Sequence, residues 1–116
     1  DRVEKDGDGL WVVDLKTGKP PTQKEVLANR QLALYQLALS SSGESVSGAK
    51  IVSVGGDSLK VLEQPSLSAE QRSELEALLE RASNEIGSDQ FQASISSHCE
   101  GDGNCQLLIA KAVQFA

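Results

Sequence analysis

The sequence predicts an α/β domain in which a mixed sheet is flanked by helices. Three observations lead to this fold class: an opening hairpin pattern, two strand-like runs in mid-chain, and a capping-box helix after each pair of strands. Helices that follow pairs of strands pack on the sheet, because each element has one apolar side to bury. The 116 residues suffice for one small core, and since only 3% of them are aromatic, that core is expected to be aliphatic.

The first elements are a hairpin and a helix. Residues 1–4 and 10–15 are typical of strands, and the two Asp-Gly pairs between them favour a tight turn. A glycine and two prolines then end the second strand. Thr22 and Glu25 form a capping-box pattern, so we expect one helix from about Thr22 to the residue before Ser40. Its positions at helical spacing are Val26, Leu27, Gln31, Leu34, Tyr35 and Ala38.

The second half of the chain repeats this order. Residues 50–54 and 59–63 are typical of strands, and residues 55–57 are typical of the turn between them. Ser68 and Gln71 form a second capping box. The apolar stripe of the helix that follows comprises Leu75, Leu78, Leu79, Ala82 and Ile86.

Charge and composition limit the classes of function. The net charge is -6, whereas a module that grips DNA alone usually has a basic face, because phosphate neutralisation dominates nucleic-acid affinity. Part of this acidity fits carboxylates gathered around a metal ion. No stretch is long and apolar enough to span a membrane, so we expect a cytoplasmic protein without a membrane partner. The chain starts at Asp1 and contains no methionine, so we expect it to be a piece of a larger protein.

The hairpin brings acidic residues together. A two-residue loop at 7–8 would place Asp1 directly opposite Asp14, at a separation of about 5 Å between Cβ atoms. Lys16 lies on the same strand face as Asp14. A hard cation such as Mg²⁺ would relieve the repulsion of the carboxylates, and the lysine could position a water or stabilise charge on a phosphate. The alternative is that Asp14 ends a strand, Lys16 is solvated and Asp1 is a plain terminal residue.

Gln31 and Tyr35 are four residues apart and therefore share one face of the first helix. Their amide and phenol groups could hydrogen-bond a phosphate or a base, and the tyrosine ring could stack on a base. The alternative is a half-buried tyrosine beside an exposed glutamine.

The order of these motifs resembles the nuclease domains of RecB and AddB type, which belong to the PD-(D/E)XK superfamily. The matching segments are Asp1-Arg2-Val3, then Asp14-x-Lys16 within residues 12–19, and then Gln31-x-x-x-Tyr35. The resemblance is strong from Asp1 to Tyr35 and looser to Cys105. It implies a truncated restriction-endonuclease-like core, with residues 1–116 forming the C-terminal part of the nuclease domain.

The resemblance also implies roles for individual residues. Asp1, Asp14 and the backbone carbonyl of Leu15 would bind Mg²⁺ or Mn²⁺. Catalytic roles would fall to Asp14, Lys16, Gln31 and Tyr35. An upstream part of the domain with a further metal ligand would be missing, so we expect the isolated fragment to be inactive. We also expect it to expose a sheet edge through which copies could associate.

The function implied is a metal-dependent DNA exonuclease module of an ATP-dependent helicase–nuclease that acts in double-strand break repair and recombination. Its partners would be DNA and the helicase motor domains. Two other hypotheses stay open: a non-catalytic DNA-binding or scaffolding domain that retains the nuclease fold, and an unrelated α/β interaction domain.

Cys99 and Cys105 are the two cysteines of the chain. They match the last two of three C-terminal cysteines that hold an iron–sulfur cluster in AddB-like nucleases. Ser96 stands at the first of the three positions, and a serine is a poor iron ligand beside thiolates. We therefore expect no iron–sulfur cluster in this fragment.

Overall fold

The computed structural model describes residues 1–7, 9–55 and 58–88. The chain divides into two compact units, residues 1–79 and 80–116, and of the second unit residues 80–88 are described. The elements in chain order are β1 (Arg2–Asp6), β2 (Gly9–Lys16), α1 (Gln23–Leu27), α2 (Arg30–Ser41), β3 (Val46–Ser53), β4 (Lys60–Pro65) and α3 (Ala69–Ile86).

Four strands form one mixed sheet in the order β1-β2-β3-β4. The pairs β1–β2 and β3–β4 are antiparallel, whereas β2 and β3 are parallel and are connected through α1 and α2. This arrangement confirms the predicted α/β class with a mixed sheet. Strands β1 and β4 occupy the outer positions, and association of copies through a sheet edge stays a prediction.

The core lies between one face of the sheet and the two short helices. Side chains alternate between the faces of a strand, so every second residue of β2 and β3 points toward α1 and α2. Full burial of an aliphatic side chain stabilises the fold by roughly 1.5–3 kcal/mol. The buried cluster is aliphatic, as predicted, and comprises Val12, Val26, Leu32, Ala49 and Ile51. The half-buried residues packed against it are Tyr35, Leu39 and Leu62.

The single helix expected after Thr22 is wrong, because the chain forms two helices. The capping box of Thr22 and Glu25 is present and starts α1, but this helix ends at Leu27. Asn29 then starts α2, since its side-chain oxygen accepts a hydrogen bond from the Leu32 amide at 3.1 Å. The break turns Leu27 toward solvent, so this side chain is 51% exposed.

The second helix also runs further than predicted, to Ser41. The hydroxyls of the three consecutive serines 40–42 donate to the carbonyls one turn earlier, at 2.8, 2.9 and 3.1 Å. Because of these local hydrogen bonds, the helix continues into the serines before which the sequence predicts its end. The chain leaves the helix at Gly43, whose φ of +85° favours glycine.

The other boundaries differ by a few residues. Strand β3 begins at Val46 rather than residue 50, and β4 ends at Pro65 rather than residue 63. The second capping box is confirmed, because the backbone N–H of Gln71 donates to the Ser68 hydroxyl at 3.1 Å. Of the expected stripe on α3, Leu75 is buried, whereas Leu79 and Ile86 are exposed. No helix in the described ranges is long and apolar enough to cross a membrane.

A pair of buried glutamines fastens the corner between α1 and α2 to the sheet. Gln36 on α2 is 1% exposed and Gln64 on β4 is 3% exposed, and the Gln36 amide donates to Gln64 Oε1 at 2.9 Å. The Gln64 amide in turn donates to three carbonyls at the corner, those of Val26 (2.9 Å), Leu27 (3.2 Å) and Asn29 (3.1 Å). The position of α2 therefore depends on one side chain of β4.

We expect Gln64→Ala to lower the free energy of unfolding by about 1–3 kcal/mol, because it leaves buried polar partners without their donor and acceptor. Glu63→Ala, on the exposed side of the same strand, is the matched control and should change the free energy by less than about 0.5 kcal/mol. Urea unfolding of both variants measures the difference. Equal stabilities would show that the glutamine pair does not hold the corner.

Candidate active site

The C-terminal end of β2 carries a buried carboxylate beside a lysine. Asp14 is 2% exposed, and Lys16 Nζ lies 2.9 Å from its Oδ2 atom, with 43% of the lysine side chain exposed. This contact is an ion pair between the lysine ammonium group and the carboxylate. Among the described residues, Oδ2 has no hydrogen-bond partner. Among the described residues this ion pair is what compensates the burial of the carboxylate, whose oxygens have further lone pairs for a ligand.

The hairpin register places a second carboxylate opposite the first. The paired residues of β1 and β2 run from Asp6↔Gly9 to Arg2↔Val13. One further step along the same register sets Asp1 opposite Asp14, which is the arrangement predicted from the two-residue loop. Gly7 of that loop has a φ of +62°, and residue 8 lies outside the described ranges.

Helix α2 brings two further residues close to this end of the hairpin. Gln31 Nε2 donates to the Tyr35 hydroxyl at 2.9 Å, and that hydroxyl donates to Asp1 Oδ2 at 3.2 Å. The spacing of four residues brings the two side chains together on one helix face. A chain of hydrogen bonds therefore connects α2 to the aspartate at the start of β1.

The backbone carbonyl of Leu15 points to the same side. The Val54 amide donates to the Lys16 carbonyl at 2.9 Å, so the Lys16 carbonyl faces β3. Successive carbonyls of a strand point to opposite edges, and the Leu15 carbonyl therefore faces the β1 side, where Asp1 lies. The five residues singled out from the sequence thus form two groups in contact, Asp14 with Lys16 and Asp1 with Tyr35 and Gln31, and the extended hairpin register sets the two aspartates opposite each other.

The comparison with protein families decides the identity of the domain. A model of the PD-(D/E)XK nuclease superfamily matches residues 1–108. The chain belongs to this superfamily. Its members hydrolyse phosphodiester bonds, typically with Mg²⁺ or Mn²⁺, and the superfamily implies a DNA substrate. The four-stranded mixed sheet with helices is consistent with a small restriction-endonuclease-like fold. No curated protein matches the chain.

The donor set of this PD-(D/E)XK domain fits a hard divalent cation. It offers carboxylates and a carbonyl, which are the ligands that Mg²⁺ prefers, and Mg²⁺ usually keeps several waters. Within residues 1–7, 9–55 and 58–88, no three side chains of His, Cys, Asp or Glu come together. The described part of the domain therefore supplies two carboxylates. Cys99 and Cys105 lie outside it, as do Ser96 and residues 56–57 of the predicted turn.

One polar residue beside the site was missed by the sequence analysis. Ser53 ends β3 and is 2% exposed, and the parallel register pairs it with Lys16. Its place in the run Ile51-Val52-Ser53-Val54 looks like an ordinary strand end. No local signal reveals its neighbour, because the two residues are separated by both helices in the sequence.

We expect Lys16→Met to lower the free energy of unfolding by about 1–2 kcal/mol, because it leaves the Asp14 carboxylate buried without its cation. This value is smaller than for a fully buried ion pair, because Lys16 is partly exposed. Adding Asp14→Asn should recover most of the loss. Lys19→Met, at an exposed position, is the control for removal of a surface charge. Chemical denaturation of these three variants and of Asp14→Asn alone measures the coupling, and additive effects would contradict it.

Proposed function

We propose that this chain is a metal-dependent DNA exonuclease module. The observation that carries the proposal is the Asp14 carboxylate, which is buried, lacks a hydrogen-bond partner at Oδ2 among the described residues, and lies beside a lysine. A structural aspartate at a strand end would be solvated or hydrogen-bonded. A buried carboxylate beside a partly exposed lysine is suited to bind a cation that enters from solvent.

The metal ligands in this proposal are Asp1, Asp14 and the Leu15 carbonyl. When bound, a divalent cation supplies charge that activates water and offsets the negative charge building on the phosphate. The protein holds the ligands in place through the hairpin register and the burial of Asp14. The Tyr35 hydroxyl orients Asp1 by donating to its Oδ2 atom.

Lys16 acts on the reacting atoms. Its ammonium group is partly exposed at the mouth of the site, where a phosphate arrives from solvent. There it donates hydrogen bonds to the attacking water or to a non-bridging phosphate oxygen, whose charge increases in the transition state. The water oxygen forms the new bond to phosphorus, the bond to the leaving sugar oxygen breaks, and a proton from the water ends on that oxygen or in solvent.

Gln31 and Tyr35 have a supporting role. They form the hydrogen-bond chain that ends on Asp1, and they lie at the edge of the site on α2. Their amide and phenol groups could in addition contact the DNA strand that is cut. Loss of the tyrosine hydroxyl would therefore first change the orientation of the Asp1 side chain.

We further infer that the module works within a RecB/AddB-like helicase–nuclease in double-strand break repair and recombination. The order of the motifs supports this, because Asp14-x-Lys16 lies on β2 and Gln31-x-x-x-Tyr35 lies on α2, as the resemblance implies, and Asp1 directly precedes β1. The net charge of -6 supports it as well, since a chain this acidic needs other parts to grip the DNA backbone.

One observation favours the second candidate, a non-catalytic domain that binds DNA or acts as a scaffold. The described residues bring two carboxylates together and not three. A metal site with fewer charged ligands binds its cation more weakly. Activity measurements separate the two candidates.

We expect the protein produced from its natural gene to degrade linear DNA with Mg²⁺ or Mn²⁺, and we expect Asp14→Asn to lower the rate roughly a thousandfold, because transition-state charge would lose its stabilisation. Glu63→Gln removes a carboxylate outside the site and is the matched control. Closed circular DNA should resist, since an exonuclease needs an end. Equal rates for Asp14→Asn and wild type would contradict the site, and an inactive wild type would favour the scaffold.

The helicase assignment has its own test. We expect degradation of long duplex DNA to require ATP hydrolysis, because a motor must feed the strand into the site. The control is a short single strand with a free end, which should be degraded without ATP. Degradation of both substrates at the same rate without ATP would contradict the helicase–nuclease while leaving the nuclease in place.

A further inference from the structure

Ser53 carries a hydroxyl that the fold does not use. The residue is 2% exposed, and its Oγ atom has no hydrogen-bond partner among the described residues. Burying a hydroxyl without a partner costs free energy, and native proteins seldom do so without a reason. The reason is to be sought among the groups beside it.

Lys16 is the neighbour of Ser53 on the adjacent strand. The two are register partners in the parallel pair β2–β3, so their side chains start about 4.8 Å apart on the same face of the sheet. The backbone around them is held closely. The Val54 amide donates to the Lys16 carbonyl, and a Cβ atom at Gly55 would collide with the Thr17 carbonyl. These contacts fix the backbone positions from which the two side chains extend.

The Lys16 ammonium group and a divalent cation would compete for one oxygen atom of Asp14. Lys16 Nζ lies 2.9 Å from Oδ2, the same oxygen that would take a divalent cation. A cation held there would repel the ammonium group and would take over its carboxylate partner. The lysine then needs another acceptor within reach. The Ser53 hydroxyl is the unused buried oxygen beside it, and a hydroxyl oxygen has two lone pairs to offer.

We propose that Ser53 is a positioning residue for Lys16; this rests on the proposed function. In the metal-free state the lysine pairs with Asp14, and in the metal-bound state it donates one N–H to Ser53 Oγ. An ammonium group has three donors, so two remain for the attacking water and the phosphate. Ser53 thereby keeps the lysine in the site after its first partner has been taken by the cation.

Titration calorimetry of this chain with Mn²⁺ tests the proposal without measuring activity. We expect Ser53→Ala to weaken Mn²⁺ binding roughly tenfold at most, because the metal-bound state loses one hydrogen bond to a charged group while the metal-free state loses none. Ser53→Thr keeps the hydroxyl and should bind like the wild type. In a Lys16→Met background, Ser53→Ala should have no effect, since the group that it positions is gone.

Urea unfolding of the metal-free variants separates positioning from a structural role. We expect Ser53→Ala to be as stable as the wild type or more stable, because the hydroxyl has no hydrogen bond to lose. A loss of stability, or a weakening of Mn²⁺ binding that persists with Lys16→Met, would overturn the proposal. If wild type and Ser53→Ala bind Mn²⁺ equally, the Ser53 assignment alone fails. If the wild type binds none, the proposed metal site fails with it.

Discussion

The placement of β2 between an antiparallel and a parallel neighbour is the constraint on which the candidate site depends. Its polar end receives Asp1 from the hairpin on one side and Ser53 from β3 on the other. Because Val12 of the same strand lies in the core, a slip of one residue would move Val12 and Asp14 to the opposite face of the sheet, away from α2. The packing that stabilises the sheet therefore also holds the site in register.

The helices are held to the sheet by a polar connection in addition to the apolar core. Gln64 joins β4 to the α1–α2 corner, and its contact with Gln36 sets where α2 crosses the sheet. The turn at Asn29 then directs the first part of α2 toward the hairpin, where the Tyr35 hydroxyl meets Asp1. Two buried amides thus contribute to placing a tyrosine near an aspartate that lies far from it in the sequence.

The site retains features that a fold selected for stability alone would lack. Asp14 is buried beside a partly exposed lysine, and two polar atoms, Asp14 Oδ2 and Ser53 Oγ, have no hydrogen-bond partners among the residues described. Both lie on the face that the core occupies further along the same strands. Unsatisfied groups of this kind are expected where a ligand completes the arrangement, and binding that ligand would then stabilise the fold.

The sequence by itself determined the α/β class, the hairpin register, both capping boxes and the order of the motifs, since each depends on residues close together in the chain. The sequence predicted one helix where there are two. Asn29 falls inside the expected helix, and only the structure shows that its side chain caps a second helix. Only the tertiary structure decided the parallel pairing of Lys16 with Ser53 and the contact of Gln64 with the helix corner. Such long-range contacts follow from how whole elements pack, which no local pattern encodes.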